Sequence, residues 1–117
     1  MAMRPVDYEG AIAVDGYGPG FFRVGGQVYH GAVLVLRDNV SLWSGLEDRD
    51  ALLALAGKAD VLFLGMGADI AHPPADLVQA LKDVGVMVEA MSSPTAARIY
   101  NVTLSEGRRV ACALLPT

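Results

Sequence analysis

The order of apolar and polar positions divides the chain near Glu47. Before it, short apolar runs alternate with turn residues; after it, helical and strand spacings take turns. Tyr8–Val14 is predicted to pair as a short strand, and Gly16-Tyr-Gly-Pro-Gly20 is too glycine-rich for a regular element. Phe21–Val24 and Gln27–His30 flank Gly25-Gly26, two residues tolerant of positive φ between β-prone runs, which predicts a hairpin. Ala32–Leu36 is continuously apolar, as a strand covered on both faces would be, and Arg37-Asp-Asn breaks it before Trp43 on a loop or short strand. A helix is expected from about Asp48 through Ala51, Leu52, Leu55 and Ala56 to Gly57. Asp60–Leu64 reads as a buried strand entering Gly65-Met-Gly67. Pro73-Pro74 opens a helix with an apolar stripe of Leu77, Val78 and Leu81, stopped by Gly85. Val86–Val88 is the next strand. Ser93-Pro94 starts a helix, the hydroxyl as N-cap, that carries Ala96, Ala97, Ile99, Tyr100 and Val102 to about Gly107. Arg109–Leu115 is the last strand. The alternation predicts one α/β domain over residues 1–117, a central sheet with helices on its faces and a hairpin-rich front end.

Composition narrows the class. The 117 residues are 53% hydrophobic and 19% charged, enough for a core and too apolar for a disordered chain. A net charge of −4 argues against a nucleic-acid partner held through phosphates. No apolar run approaches the roughly 20 residues that span a bilayer, and the N-terminus lacks the apolar core of a secretory signal. The single cysteine, Cys112, lies in the apolar run Val110–Leu115, which predicts a buried thiol and suits a reducing compartment. The expectation is a soluble, cytoplasmic protein.

Candidate chemistry is sparse. Gly65-Met-Gly67 follows a strand, where backbone amides can approach an anion, but a third glycine and a Gly-Lys-Ser/Thr element are missing. A tight turn is the simpler reading. His30 and His72 have no metal-ligand spacing, so neither a metal nor a cofactor is expected. Ser41, Ser44, Ser92, Ser93 and Ser105 have no local base; for Ser92 and Ser93, helix capping suffices. Glu106, Arg108 and Arg109 read as a solvated turn. Arg98 is the most informative charge. On its helix it stands near Glu89, either as a half-buried ion pair or as the anchor for an anionic ligand. The second alternative defines a candidate pocket at the strand carboxyl ends: Gly65, Gly67, Glu89, Met91, Ser92, Ser93 and Arg98. Within it Glu89 serves as a base if burial raises its pKa.

Several segments occur in an order that carries a resemblance. They are Gly16–Gly20, Gly31-Ala-Val-Leu-Val35, Trp43, Gly65-Met-Gly67, Val88-Glu-Ala-Met91 and Ala97–Ala111. From about Tyr8 to Pro116 the chain resembles the domain of unknown function 498 family, which includes the mitochondrial respiratory complex I assembly factor 3. The resemblance implies a three-layer fold, with a mixed central sheet of about five strands, helices on one side and a β-hairpin plus helix on the other. It also implies a family without established enzymatic activity, whose mitochondrial branch works by protein–protein contact. Ala97 stands where the family often has cysteine and Ile99 where it often has threonine; the loss of the cysteine favours a packing role for position 97.

Two functions follow. The first is a non-enzymatic protein that assists assembly of a respiratory complex, its partner a complex subunit or another assembly protein, with Tyr17, Phe21, Phe22 and Trp43 as exposed contact candidates. The second is a small-molecule binder or an enzyme using the pocket around Arg98.

Overall fold

The computed structural model describes residues 11–69 and 71–117. Two residues of positive φ, Gly25 at 59° and Gly26 at 83°, close the hairpin between β2 (Phe21–Val24) and β3 (Gln27–His30). That geometry follows the right-handed twist of the paired strands, as the sequence led us to expect. The hairpin gains a third strand, β1 (Val14–Gly18), antiparallel to β2.

β1 corrects the reading of Gly16–Gly20 as irregular. The glycines here make room rather than turns: a Cβ on Gly18 would overlap the Phe21 ring, its partner across the ladder. An irregularity between Val14 and Gly16 leaves Asp15 out of register, and its carboxylate accepts the Gly26 N–H at 2.5 Å. The strand expected over Tyr8–Val14 begins only at Val14, while Tyr8–Gly10 lie outside the described residues.

The remaining strands form one mixed sheet. β4 (Val33–Leu36) turns through Arg37-Asp38 into β5 (Asn39–Leu42), a strand the sequence reading passed over. Arg37 sits at φ 50°, a costly conformation for a non-glycine residue, and is held on both sides. Its N–H donates to the Tyr100 hydroxyl at 3.2 Å and its carbonyl accepts the Ile12 N–H at 2.6 Å. Beyond α1 (Arg49–Leu53) come β6 (Val61–Gly65), α2 (Ala75–Asp83), β7 (Met87–Met91), α3 (Ser93–Ser105) and β8 (Val110–Leu114). The five strands are ordered β5-β4-β8-β6-β7. β6 is parallel to both β7 and β8, whereas β4 is antiparallel to β8 and β5.

The sheet divides two cores by its period-2 alternation. On one face Val61, Phe63, Val110, Cys112 and Leu114 pack against α3 and the small sheet through Phe22, Val24, Ala96, Ala97 and Tyr100. On the other, Leu62, Leu64, Ala111 and Ala113 pack against α1 and α2 through Leu52, Leu77 and Leu81. These are the three layers that the family resemblance implied.

Helix limits differ from the sequence expectation in one place. α1 ends at Leu53, not near Gly57, because the chain tightens into three-residue turns, Leu55 N–H to Leu52 O and Ala56 N–H to Leu53 O. The tightening keeps Leu55 buried beside Leu52. Trp43 is also buried, its indole N–H donating to the Asp48 carbonyl at 3.3 Å. With Phe22 it belongs to the core, so two of the four aromatic contact candidates are withdrawn. A tryptophan or phenylalanine in so small a domain carries too much apolar surface to leave the interior. Tyr17 remains half exposed.

Candidate functional site

The chain leaves β6 toward α2 on one face of the sheet and leaves β7 toward α3 on the other. Such divergence opens a crevice at the strand carboxyl ends in many α/β proteins. Here Gly65, Gly67, Met91, Ser92 and Ser93 do converge there, and among the described residues their polar groups are bonded to one another. Ser93 N–H donates to Gly67 O at 2.7 Å, Met66 N–H to Met91 O at 2.8 Å and Leu115 N–H to Gly65 O at 2.9 Å. The buried Ser93 hydroxyl accepts the Gly67 N–H at 2.9 Å and donates to Leu115 O at 2.6 Å. The amides of Met66 and Gly67 are thus committed to the fold, which supports the tight-turn reading of Gly65-Met-Gly67 over an anion cradle.

Ser93 is therefore not a helix cap. Ser92 occupies the N-cap position without a capping hydrogen bond from its side chain; its hydroxyl instead donates to Thr95 Oγ1 at 3.0 Å. The sequence could not separate the two serines, since either hydroxyl precedes a helix.

Arg98 and Glu89 do not meet. Glu89 is exposed on β7, so the burial on which a general-base role depended is missing. Arg98 is exposed on α3 and forms no ion pair among the described residues. It lines a different concavity, of about 180 Å³, where Asp15, Gly16 and Tyr17 of β1 face Pro94, Ala97 and Asn101 of α3. Asn101 fixes that junction: its amide donates to Val14 O at 2.8 Å and its carbonyl accepts the Val14 N–H at 2.9 Å. An asparagine satisfying both backbone groups of one strand residue is invisible in sequence, because its partner lies 87 positions away.

Among the described residues, the interior holds two titratable groups. Cys112 is fully buried, and burial pushes its thiol well above the ordinary range, so it sits as an apolar filler, in agreement with the sequence reading. Tyr100 is buried too, its hydroxyl raised by burial and by the neighbouring Cys112. His30 and His72 are both exposed. Among the described residues, no three His, Cys, Asp or Glu side chains come together as metal ligands would. Arg109 approaches Asp60 at 3.4 Å, an exposed pair within the turn read as solvated.

A further concavity was not foreseen. β7 is an outer strand, and between it and α2 runs a groove of about 460 Å³, lined by Val78, Val86, Met87 and Val88 together with the charged Asp60 and Lys82. Met87 is 63% exposed at its rim and Val84 is exposed nearby. The alternation Met87 out, Val88 in, Glu89 out carried the signal for an edge position, but strand order depends on pairing that sequence does not display.

This three-layer arrangement matches that of proteins already known. A family model for proteins of unknown function, DUF498/DUF598, matches residues 14–115. The chain belongs to that family. An uncharacterized protein of Rhodobacter capsulatus is 54% identical over 116 residues, covering 99% of this chain and 94% of its own. The NADH dehydrogenase [ubiquinone] 1 alpha subcomplex assembly factor 3 of Danio rerio is 30% identical over 107 residues. That match covers 86% of this chain, which spans only 62% of the fish protein. The solution structure of a Mth938-like domain from Bordetella pertussis superposes with a TM-score of 0.80 at 27% identity, covering 99% of this chain and 92% of that one. Within this DUF498/DUF598 chain, Ala97 lies in the core, the packing role its departure from the family pattern suggested, and Ile99 packs against that core. Among the described residues, no helix is long and apolar enough to cross a membrane.

Proposed function

We propose that this protein is a non-enzymatic assembly factor, acting in the cytoplasm as one domain and binding a subunit or assembly protein of a respiratory complex. The groove beside β7 carries the reading: it offers Val78, Val86 and Val88 beside an outer strand on which Met87 is also 63% exposed. The relative named as an NADH dehydrogenase assembly factor supplies the class of partner. A single buried thiol suits a reducing compartment. The test is purification of the tagged full chain from its own cells under native conditions, with mass spectrometry of what accompanies it. Subunits of NADH:ubiquinone oxidoreductase are the expected company, together with a reduced level of the assembled complex when the gene is deleted. Normal complex levels after deletion and no such subunit in the eluate would contradict the reading.

A second reading, a small-molecule site anchored by Arg98, is favoured by the 180 Å³ cavity between β1 and α3. Its guanidinium would hold an anionic group. Because Arg98 is exposed, Arg98→Ala should change stability by less than about 0.5 kcal/mol while abolishing any chemical-shift response of Tyr17 and Asn101 to inorganic phosphate. Unaltered phosphate shifts in the variant would remove this reading.

A further inference from the structure

We infer that β7 is a docking edge completed by an extended, basic segment of a protein partner, which adds a strand to the sheet. The inference rests on the assembly reading and specifies how the partner is held.

Backbone register sets the edge. Met87 pairs with Val61 and Met91 with Gly65; Met87 N–H donates to Asp60 O at 2.9 Å and Met91 O accepts the Met66 N–H at 2.8 Å. In a parallel ladder the residues bonded to one neighbour alternate. Met87, Glu89 and Met91 therefore direct their backbone groups at β6, and Val88 and Ala90 direct theirs outward. Among the described residues nothing pairs with those outward groups. Two donors and two acceptors at alternate positions are what an extended backbone satisfies, and what a helix, with its own groups bonded internally, does not. Natural edges are often blocked by proline, a bulge or charged side chains; β7 has no proline, no bulge and a single charge, Glu89.

Side chains set the chemistry of the incoming strand. Val88 lies on the α2 face, in the core shared with α1 and α2, and also lines the groove. Apolar side chains of the added strand fall on that face. On the opposite face Met91 packs toward α3, so Glu89 lies on that side too, exposed and without a cation among the described residues. A lysine or arginine across from Glu89 would be a favourable cross-strand pair. A second copy of this chain fits less well, since each carries a net charge of −4 and the same acidic edge. The other outer strand, β5, borders a smaller concavity of about 110 Å³ that Asn39 and Ser41 help to line.

The test uses the full chain, isotope-labelled, and two capped hexapeptides, Lys-Val-Lys-Val-Lys-Val and its glutamate counterpart. With the lysine peptide at saturation, the Val88 and Ala90 amides should shift and exchange with solvent about tenfold more slowly. The glutamate peptide should do neither. Glu89→Lys should reverse the preference, and Ala90→Pro, which removes one outward N–H where an edge strand tolerates proline, should abolish the response. Val88→Pro serves if Ala90→Pro does not fold. Equal responses to both peptides, or shifts away from β7, would overturn the inference, as would dimerisation of the wild-type chain through this edge. Recovery of respiratory subunits by Ala90→Pro as efficiently as by wild type would overturn strand addition and leave the assembly reading standing. A normal peptide response with no subunit recovered would do the reverse.

Discussion

Tyr100→Ala should lower the unfolding free energy by about 3–5 kcal/mol, the range for removing a fully buried aromatic ring. In a domain with a total stability of about 5–15 kcal/mol that is a large fraction, and the melting temperature should fall by roughly 10–25 °C. The ring is wholly inaccessible and packs in the cluster where α3, the small sheet and the central sheet meet. Truncation opens a cavity at the one place that all three share. Tyr100→Phe separates packing from hydrogen bonding. It keeps the ring and removes only the acceptor of the Arg37 N–H, at a cost of about 1 kcal/mol, because Arg37 is exposed enough for water to replace the hydroxyl. The pair of variants also fixes a pH dependence. Burial raises the Tyr100 hydroxyl and Cys112 thiol above their ordinary values of 10.0 and 9.0. Both groups stay protonated in the folded chain after the unfolded chain has lost those protons, so their contribution is complete below pH 9 and declines as the pH rises beyond it. Thermal unfolding followed from pH 7 to 11 should show a steep alkaline limb, shallower in Tyr100→Phe. An alkaline limb identical in the two proteins would remove Tyr100 from that account.

Gly65→Ala should cost about 3 kcal/mol, for a reason opposite to cavity formation. A Cβ there would sit 2.6 Å from both Cα and Oγ of Ser93 and 2.9 Å from Cδ2 of Leu114. Leu114 can rotate away; the Ser93 Cα cannot, because its backbone N–H is bonded to Gly67 O and its hydroxyl to Gly67 and Leu115. The new methyl must therefore separate β6 from the start of α3. Urea denaturation should show the midpoint reduced with little change in slope. Adding Ser93→Gly removes the Oγ overlap but also both hydrogen bonds of that hydroxyl, so it should not restore stability. A Gly65→Ala protein as stable as wild type would mean that β6 and the start of α3 are not held as closely as this account requires.

The parts legible in the sequence were those where side-chain pattern and backbone agree. Val61–Leu64 and Val110–Leu115 read as buried strands because nearly every residue is apolar, and Gly25-Gly26 read as a hairpin turn because little else tolerates two positive φ values in a row. Gly16–Gly20 failed for the converse reason. Its strand is stabilised by its ladder with β2 and by the Phe21 ring lying over Gly18, neither of which local propensity records. Asn39–Leu42 failed likewise, an outer strand of mostly exposed residues. The candidate pocket shows a similar division. The alternation of strands and helices is enough to place Gly65, Gly67, Met91, Ser92 and Ser93 at one end of the sheet, where the structure has them. The hydrogen bonds of the Ser93 hydroxyl there to Gly67 and Leu115 are not legible in sequence. Arg98 lines a concavity with Asp15 across the β1 junction and does not meet Glu89.

The account's central claim is that a protein partner docks along β7. It is tested most directly by hydrogen exchange on the full chain, free and in the complex recovered from its own cells. The account predicts that protection increases in the segment containing Val88 and Ala90, with the small sheet β1-β2-β3 unchanged. Exchange in that segment that stays as fast in the complex as in the free chain, with new protection elsewhere, would contradict it.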